Sequence, residues 1–244
     1  MKKLILLTLI VVAFIGCSKD EPDLISLPLT EKTLNYGDEY QIEATSKSLI
    51  TYKSSDDYFA TINELGLIKA GFVGEANITL SNLEDTKNFK VTIEPKSTLY
   101  QEPQIKFGIS KSDIIQKYGI PDSQSADMML YEENSAKTPV LFFAFSGETL
   151  ISYGLIVNAL FSSELGKFLG ERYKLISVDS EDYSFVFMNA LVKDKATMLV
   201  GTTPYSSAYW MVAYISTGLT KSAYTHTNMI AVNDLKSRLN QFRF

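Results

Sequence analysis

The sequence predicts two unlike domains, a small all-β sandwich over residues 24–95 and an α+β domain of two helix-plus-three-strand repeats over residues 96–244. In the first part, short runs rich in Val, Ile, Thr and Tyr alternate apolar and polar residues, the period of strands with one buried face. The second part passes twice from a helical period to three strand-like runs. A polar segment with two prolines, 94–104, lies between the parts and is predicted to be a linker between independently folding domains.

An apolar leader precedes both domains. Lys2 and Lys3 are followed by the run "LILLTLIVVAFI". A bilayer-spanning helix needs about 20 apolar residues, so this run is too short to span but suits the core of a secretory signal peptide. Residues 1–16 are therefore predicted to be a signal peptide.

The leader ends in Phe14-Ile15-Gly16-Cys17, and Cys17 is the only cysteine of the chain. This segment resembles a bacterial lipobox, with Phe14 where leucine is usual. The resemblance implies that Cys17 receives a diacylglyceryl group and becomes the mature N-terminus. Long lipid chains hold a protein on a membrane without a transmembrane helix. The alternative is a free, buried cysteine behind an uncleaved leader.

Residues 17–23, "CSKDEPD", form the predicted acylated linker. A lysine followed by acids is similar to the export tag of Bacteroidetes surface lipoproteins. That resemblance implies an outer-membrane protein, lipid-anchored and facing the cell exterior. A periplasmic face, with the segment only a solvated linker, is the alternative.

Composition excludes one class of partner. The chain carries 23 basic and 28 acidic residues and has no basic block. Nucleic-acid binding needs clustered Lys and Arg to neutralise phosphates. We therefore expect no nucleic-acid partner.

The stretch from Tyr52 to Leu80 resembles the bacterial group 2 immunoglobulin-like domain. The family's pattern is an aromatic residue, Ser-Ser-Asp, Ala-Thr-hydrophobic, Gly-hydrophobic and a Gly-small-Ala hairpin. The matching positions are Tyr52, Ser54-Ser55-Asp56, Ala60-Thr61-Ile62, Gly66-Leu67-Ile68 and Gly74-Glu75-Ala76-Asn77-Ile78. Tyr52 replaces the usual tryptophan. The resemblance implies an immunoglobulin-like sandwich that acts as a spacer or adhesion module without catalytic residues.

The second domain begins with a sharply bounded helix. Ser110 and Asp113 form a capping-box pattern, and Gly119 with Pro121 ends the helix. A second helix is predicted at "SSELGKFLGERY", with Ser162 or Ser163 as its N-cap, and a third at "NDLKSRLNQF". The strand-like runs are "MMLYEE", "PVLFFAFS" and "TLISYGLIV", then "YSFVFMNAL", "ATMLVGT" and "YWMVAYIS". Two such units predict an antiparallel sheet with helices on one face and the last helix over it.

The tandem pattern, with Gly-Ile-Ser (108–110) before the first helix and Gly-Ile-Pro (119–121) after it, is similar to the β-lactamase-inhibitor-like and small outer-membrane-lipoprotein group. The second repeat lacks Gly-Ile-Pro. Proteins of that group bind other proteins through a concave sheet. The resemblance therefore implies a binding function for residues 96–244.

Catalytic and metal-binding patterns are scarce. His226 is the one histidine, so imidazole-based triads and thiolate or imidazole metal sites lack ligands. We expect no metal and no cofactor. A glycosidase needs only two carboxylates, for which Glu132-Glu133 and Asp179 to Asp182 are the nominal candidates. We expect that the protein is not an enzyme.

The aromatic strands supply the candidate binding residues Tyr153, Tyr209, Trp210 and Tyr214, which combine apolar area with polar tips. The alternative is that they belong to the core. Strand alternation sends Tyr209 and Trp210 to opposite faces. The sequence thus predicts a lipid-anchored surface protein that binds or adheres to a protein or glycan. The alternatives are a glycan-processing enzyme with paired carboxylates and a structural envelope lipoprotein.

Overall fold

A computed structural model describes residues 21–218 and 227–242, without the side chains of 227–230. The protein is predominantly β, with two small sheets in its first part and one large sheet in its second. Cys17 and the predicted signal peptide lie outside the described residues. None of the helices in the described ranges has the length and apolar character needed to cross a bilayer.

The first part is a β-sandwich. One sheet has the order β1-β7-β6-β3 and the other β2-β5-β4, and a single apolar core lies between them. The strands are β1 (Glu31–Asn35), β2 (Glu39–Gln41), β3 (Thr51–Ser54), β4 (Ala60–Ile62), β5 (Leu67–Ala70), β6 (Gly74–Ser81) and β7 (Thr86–Glu94).

Two glycines of the sandwich are required by close contacts. Gly66 has a positive φ of 78°, and a Cβ there would lie 2.9 Å from the ring of Tyr52. Gly74 has φ 150°, and a Cβ would overlap the ring of Phe59. L residues rarely adopt such φ values. The glycines of the Tyr52–Leu80 pattern therefore let two aromatic rings pack onto the backbone.

The second part is built on one antiparallel eight-stranded sheet, in the order β12-β13-β14-β15-β11-β10-β9-β8. Its strands are β8 (Ser123–Gln124), β9 (Met128–Glu132), β10 (Val140–Ser146), β11 (Thr149–Asn158), β12 (Lys174–Asp179), β13 (Ser184–Met188), β14 (Met198–Pro204) and β15 (Tyr209–Ser216). Each of the first two helices is followed by four strands rather than the expected three. The additional strands, β8 and β12, form the two edges of the sheet.

Three helices accompany this sheet. Helix α1 (Lys111–Tyr118) has the predicted capping box between Ser110 and Asp113 and ends at Gly119, as expected. Helix α2 (Ser162–Gly170) begins after Phe161 and has no side-chain cap, so the expected serine cap is wrong. The 3₁₀ turn Ala159–Phe161 already leads into this helix, which leaves no serine in the capping position. Helix α3 spans Thr227–Leu239.

Helices lie on both faces of the large sheet. Helices α1 and α2 pack on one face through Ile114, Leu165 and Phe168. Helix α3 packs on the other face through Leu235 and Leu239. Strand alternation therefore sends each strand's side chains into two separate cores.

Residues 95–104, expected to be a linker, pack against the helical face of the large sheet. Leu99 is buried, and the ring of Tyr100 lies 4.2 Å from the ring of Phe168. We call this segment the strap. It is followed by Ile105, Phe107 and Ile109, which pack on the same core.

The sandwich and the sheet domain make direct hydrogen bonds. The backbone amide of Val73 donates to the carbonyl of Glu171 at 2.9 Å. The hydroxyl of Tyr58 donates to the carbonyl of Arg172 at 2.6 Å. The Glu171 carboxylate accepts from the backbone amides of Lys96 at 2.8 Å and Ser97 at 3.0 Å. These contacts place the end of α2 beside the sandwich.

Candidate functional site

An open cavity of about 660 Å³ lies where the sandwich, α2 and the sheet meet, and we call it the interdomain groove. Its lining residues from the sheet include Leu175, Phe185, Phe187, Thr202 and Trp210. Those from α2 include Leu165, Gly166, Leu169 and Gly170, and those from the sandwich are Tyr36 and Phe72. Apolar walls with few polar groups are typical of ligand-binding clefts.

The floor of the groove is set by strand alternation on β13. Phe185 and Phe187 point to the helical face, whereas Val186 and Met188 point into the core beneath α3. The Phe185 ring lies 6.4 Å from the ring of Trp210 at a tilt of 35°. Both rings are only partly buried. They are therefore available to a ligand in the groove.

The groove contains one polar atom that the protein does not pair. Thr202 is 4% exposed and lines the groove, and its hydroxyl has no hydrogen-bond partner among the described residues. A buried hydroxyl without a partner costs about 1–3 kcal/mol.

The outer wall of the groove is formed by small positions on α2. Gly166 and Gly170 lie one turn apart, and a Cβ at either would meet no atom within 4 Å. Packing within the protein does not demand glycine at these two positions. Side chains there would instead occupy the groove.

The four candidate binding residues do not form one surface. Tyr153 and Tyr214 are 5% and 1% exposed and stack at 5.0 Å in the core beneath the strap. They are therefore core residues and not part of an open recognition face, because the strap covers them. Tyr209 packs with the core beneath α3. Trp210 alone lines the interdomain groove.

The buried tyrosines belong to a polar cluster around Glu102 of the strap. Tyr100 donates to the Tyr214 hydroxyl at 2.9 Å, and Tyr214 donates to Glu102 Oε1 at 2.8 Å. Tyr173 donates to the same oxygen at 2.6 Å. Arg172 Nε lies 3.4 Å from Glu102 Oε2. The cluster fixes the strap to the sheet and to the end of α2.

Burial raises the pKa of Tyr100, Tyr173 and Tyr214 well above that of a free tyrosine, and the negative charge of Glu102 raises each of them further. The hydroxyls therefore keep their protons over the physiological range. The protonated form is also the one that donates to Glu102. The cluster thus acts as a hydrogen-bonded clamp.

The nominal catalytic carboxylates occupy structural or solvent-facing positions. Asp179 Oδ1 accepts from the backbone amides of Glu181 and Asp182 in the turn between β12 and β13. Glu132 and Glu133 are exposed, and burial of part of the Glu133 carboxyl raises its pKa. Within the described part of the chain, no group of three or more His, Cys, Asp or Glu residues could hold a metal ion.

Sequence reasoning missed most residues of the groove. Alternation in "SFVFM" puts Phe185 and Phe187 on one face of their strand, but only the pairing of β13 with β14 and of β14 with β15 brings that face to Trp210. The contribution of Tyr36 and Phe72 depends on how the sandwich docks against α2, for which local sequence has no signal. The unpaired hydroxyl of Thr202 also emerges only from the three-dimensional packing.

Comparisons with known proteins add little. No protein-family model and no curated protein matches the sequence. Among solved structures, an intimin mutant of EHEC O157:H7 is similar over 50% of this chain and 82% of its own chain, at 11% identity and a TM-score of 0.24. A similarity at this TM-score carries no argument about fold or function.

Proposed function

We propose that this protein is a lipid-anchored binding protein of the outer membrane that faces the cell exterior and holds an apolar side chain of a partner protein in the interdomain groove. The observation that carries the binding role is the groove itself, with its apolar walls and its partly exposed Phe185 and Trp210. The anchor is Cys17, and its support is the lipobox-like sequence at 14–17.

The character of the groove favours a protein partner over a glycan. Its walls are mainly aromatic and aliphatic, whereas a sugar carries many hydroxyls that need partners. An apolar side chain of a partner protein matches these walls. Binding without catalysis is also consistent with the turn-capping role of Asp179.

The two domains take different roles in this proposal. The sandwich, as an immunoglobulin-like module, is the spacer, and the sheet domain presents most of the groove. The order of the sheet supports a tandem origin for the sheet domain. Four strands follow each of α1 and α2, and the two sets meet at β11 and β15 in mirrored order.

Site-specific photocrosslinking tests the binding role in the full-length acylated protein on cells. A benzoylphenylalanine at Leu175, which is 48% exposed and lines the groove, should crosslink a partner protein. The same group at Leu160, 88% exposed and not among the residues lining the groove, is the control. Gly166→Leu, which places a branched side chain in the groove, should weaken or abolish the crosslink from position 175.

Equal crosslinking from positions 175 and 160, or a crosslink at 175 that survives Gly166→Leu, would contradict the groove as the binding site. The anchor is tested separately. Cys17→Ser should release the protein from the membrane fraction, and protease added to intact cells should cleave the wild-type protein. Retention of the serine variant would exclude the lipid anchor.

A further inference from the structure

The N-terminus of the sandwich is fixed by a compact set of hydrogen bonds. The Asp23 carboxylate accepts from the backbone amides of Lys47 at 2.8 Å and Ser48 at 2.7 Å, and from the hydroxyl of Ser46 at 3.0 Å. Asn82 Nδ2 donates to the Asp23 carbonyl at 2.7 Å. The hydrogen bonds that the carboxylate accepts from Ser48, Lys47 and Ser46 bring the pKa of Asp23 down to about 2. We call Asp23, residues 46–48 and residues 82–85 the N-terminal knot.

Three exposed leucines surround the N-terminal knot. Leu24, Leu49 and Leu83 are 60%, 82% and 93% exposed, and each adjoins a knot residue in sequence. Thr51 pairs with Ser81 at the end of the β3–β6 ladder, so Leu49 and Leu83 each lie two residues beyond that pair on the same side. The three side chains therefore mark one end of the sandwich.

This end lies opposite the sheet domain. Strand β6 runs from Gly74, next to the Val73 contact with Glu171, to Ser81 beside the knot. Strand β7 returns from Thr86 at the knot to Glu94 at the strap. A strand rises about 3.3 Å per residue, so the length of these strands separates the leucines from the interdomain groove.

The length of chain before Asp23 determines what can face these leucines. Cys17 precedes Asp23 by six residues, which span at most about 20 Å when fully extended. We propose that the three leucines dock on the surface of the bilayer that holds the acyl chains of Cys17, so that the sandwich stands on the membrane by its knot end. This inference rests on the proposed lipid anchor.

The charges at the knot decide what can hold this end on a bilayer. Glu84 and Asp85 lie beside Leu83, and Asp85 forms an ion pair with Lys87 at 3.4 Å. Lys47 is exposed and lies on the other knot loop. Clustered Lys and Arg, which attract anionic lipid, are absent from the described knot residues. Electrostatic attraction to anionic lipid therefore contributes little at this end, and the apolar contact of the leucines is what holds it on the bilayer.

The test uses the full-length acylated protein in phosphatidylcholine vesicles. Because acylated Cys17 is blocked and no other cysteine exists, Leu83→Cys introduces a single reactive thiol for an environment-sensitive fluorophore. Spin-labelled lipids should quench a fluorophore at position 83 at least twofold more than one at position 160, where Leu160 is 88% exposed on the sheet domain. Position 49 should behave like position 83.

Equal quenching at positions 83 and 160, with the protein still bound to the vesicles, would overturn the docking and leave the anchor intact. Loss of the protein from the vesicles would instead contradict the anchor. Quenching at position 83 that disappears on dilution of protein in a constant excess of lipid would assign the leucines to a second copy and overturn the docking. The double substitution Leu24→Ser and Leu49→Ser should reduce quenching at position 83, because fewer apolar side chains hold that end on the lipid.

Discussion

The two halves of the eight-stranded sheet have the same order of elements but are covered differently. In the first half, β8–β11, the helical face carries α1 and the strap with the residues that follow it, and a pocket of about 510 Å³ with largely polar walls lies between them. In the second half, β12–β15, the same face carries α2 and remains open as the interdomain groove. The difference shows how two clefts of unlike chemistry, a polar one beside the strap and an apolar one beside the sandwich, can arise on one sheet.

The connection before each helix explains the difference. The chain crosses the first half from Pro95 to Ile109 before α1 begins, and Phe107 stacks on Tyr153 at 5.3 Å. Only the turn Ala159–Phe161 separates β11 from α2. The second half therefore has no strap of its own. Tyr36 and Phe72 of the sandwich line the groove there instead.

The largest expected effect comes from truncating a core side chain in the first half of the sheet. Phe143 is fully buried, with the rings of Tyr118 and Tyr131 at 5.2 and 5.6 Å. Phe143→Ala should lower the free energy of unfolding by about 3–5 kcal/mol, because it leaves a cavity. Phe185→Ala in the open half is the matched control and should cost less than half as much, as that ring is only partly buried. Equal losses in urea unfolding would contradict the contrast between the halves.

The clamp around Glu102 makes stability sensitive to alkali. The folded-state pKa values of Tyr100, Tyr173 and Tyr214 are raised, so these hydroxyls remain protonated when tyrosines of the unfolded chain ionise near pH 10. Their contribution is complete below pH 10 and falls as the pH rises above it. Each such tyrosine should contribute a slope of about 1.4 kcal/mol per pH unit.

Tyr214→Phe tests this slope directly. We would measure the free energy of unfolding in urea between pH 9 and 11. Above pH 10 it should fall less steeply in the variant, by about 1.4 kcal/mol per pH unit, which is the contribution of one tyrosine. The variant should also be less stable at pH 7 by about 0.5–1.5 kcal/mol, since it loses the hydrogen bonds to Tyr100 and Glu102. Tyr183→Phe, at a 66% exposed tyrosine, is the control. An unchanged slope in Tyr214→Phe would show that the clamp does not control the alkaline transition.

A smaller effect is expected where the sandwich meets the open half. Tyr58 is 7% exposed, and its hydroxyl donates to the carbonyl of Arg172 at 2.6 Å. Tyr58→Phe should cost about 1 kcal/mol for that hydrogen bond. Calorimetry of the full chain should show the loss as a shift of the transition shared by both domains. Two transitions, neither of which moves in the variant, would mean that this contact does not couple the domains.

Local sequence rules predicted the elements better than the contacts between them. The capping box at Ser110 and Asp113 and the alternation that separates Tyr209 from Trp210 follow from neighbouring residues, and the structure has both. The strap was expected to be a linker because its two prolines and polar residues resemble one. Its packing depends on Glu102 meeting Tyr173 and Tyr214, which are far along the chain.

The groove could not be predicted from sequence for a related reason. Its walls come from the sandwich, α2 and four strands, and no local period shows that these surfaces meet. The edge strand β12 was also missed, because Lys174–Asp179 has an irregular burial pattern and a bulge near Ile176. Edge strands lack the regular alternation of strands that are paired on both sides.

The smallest expected effect tests whether a partner enters the interdomain groove beside Gly166. Gly166 lies in the interior of α2 and faces the groove, and a Cβ there meets nothing within 4 Å. Gly166→Ala should therefore raise the free energy of unfolding by about 0.5–1 kcal/mol, because alanine favours the helix. The added methyl group narrows the groove, so the crosslink from position 175 should weaken while that from position 160 does not change.

Gly147→Ala is the contrasting control, because Gly147 has φ 60° and the same change there should destabilise the turn. A Gly166→Ala variant that is more stable and crosslinks as well as the wild type would show that the partner does not enter between α2 and the sheet.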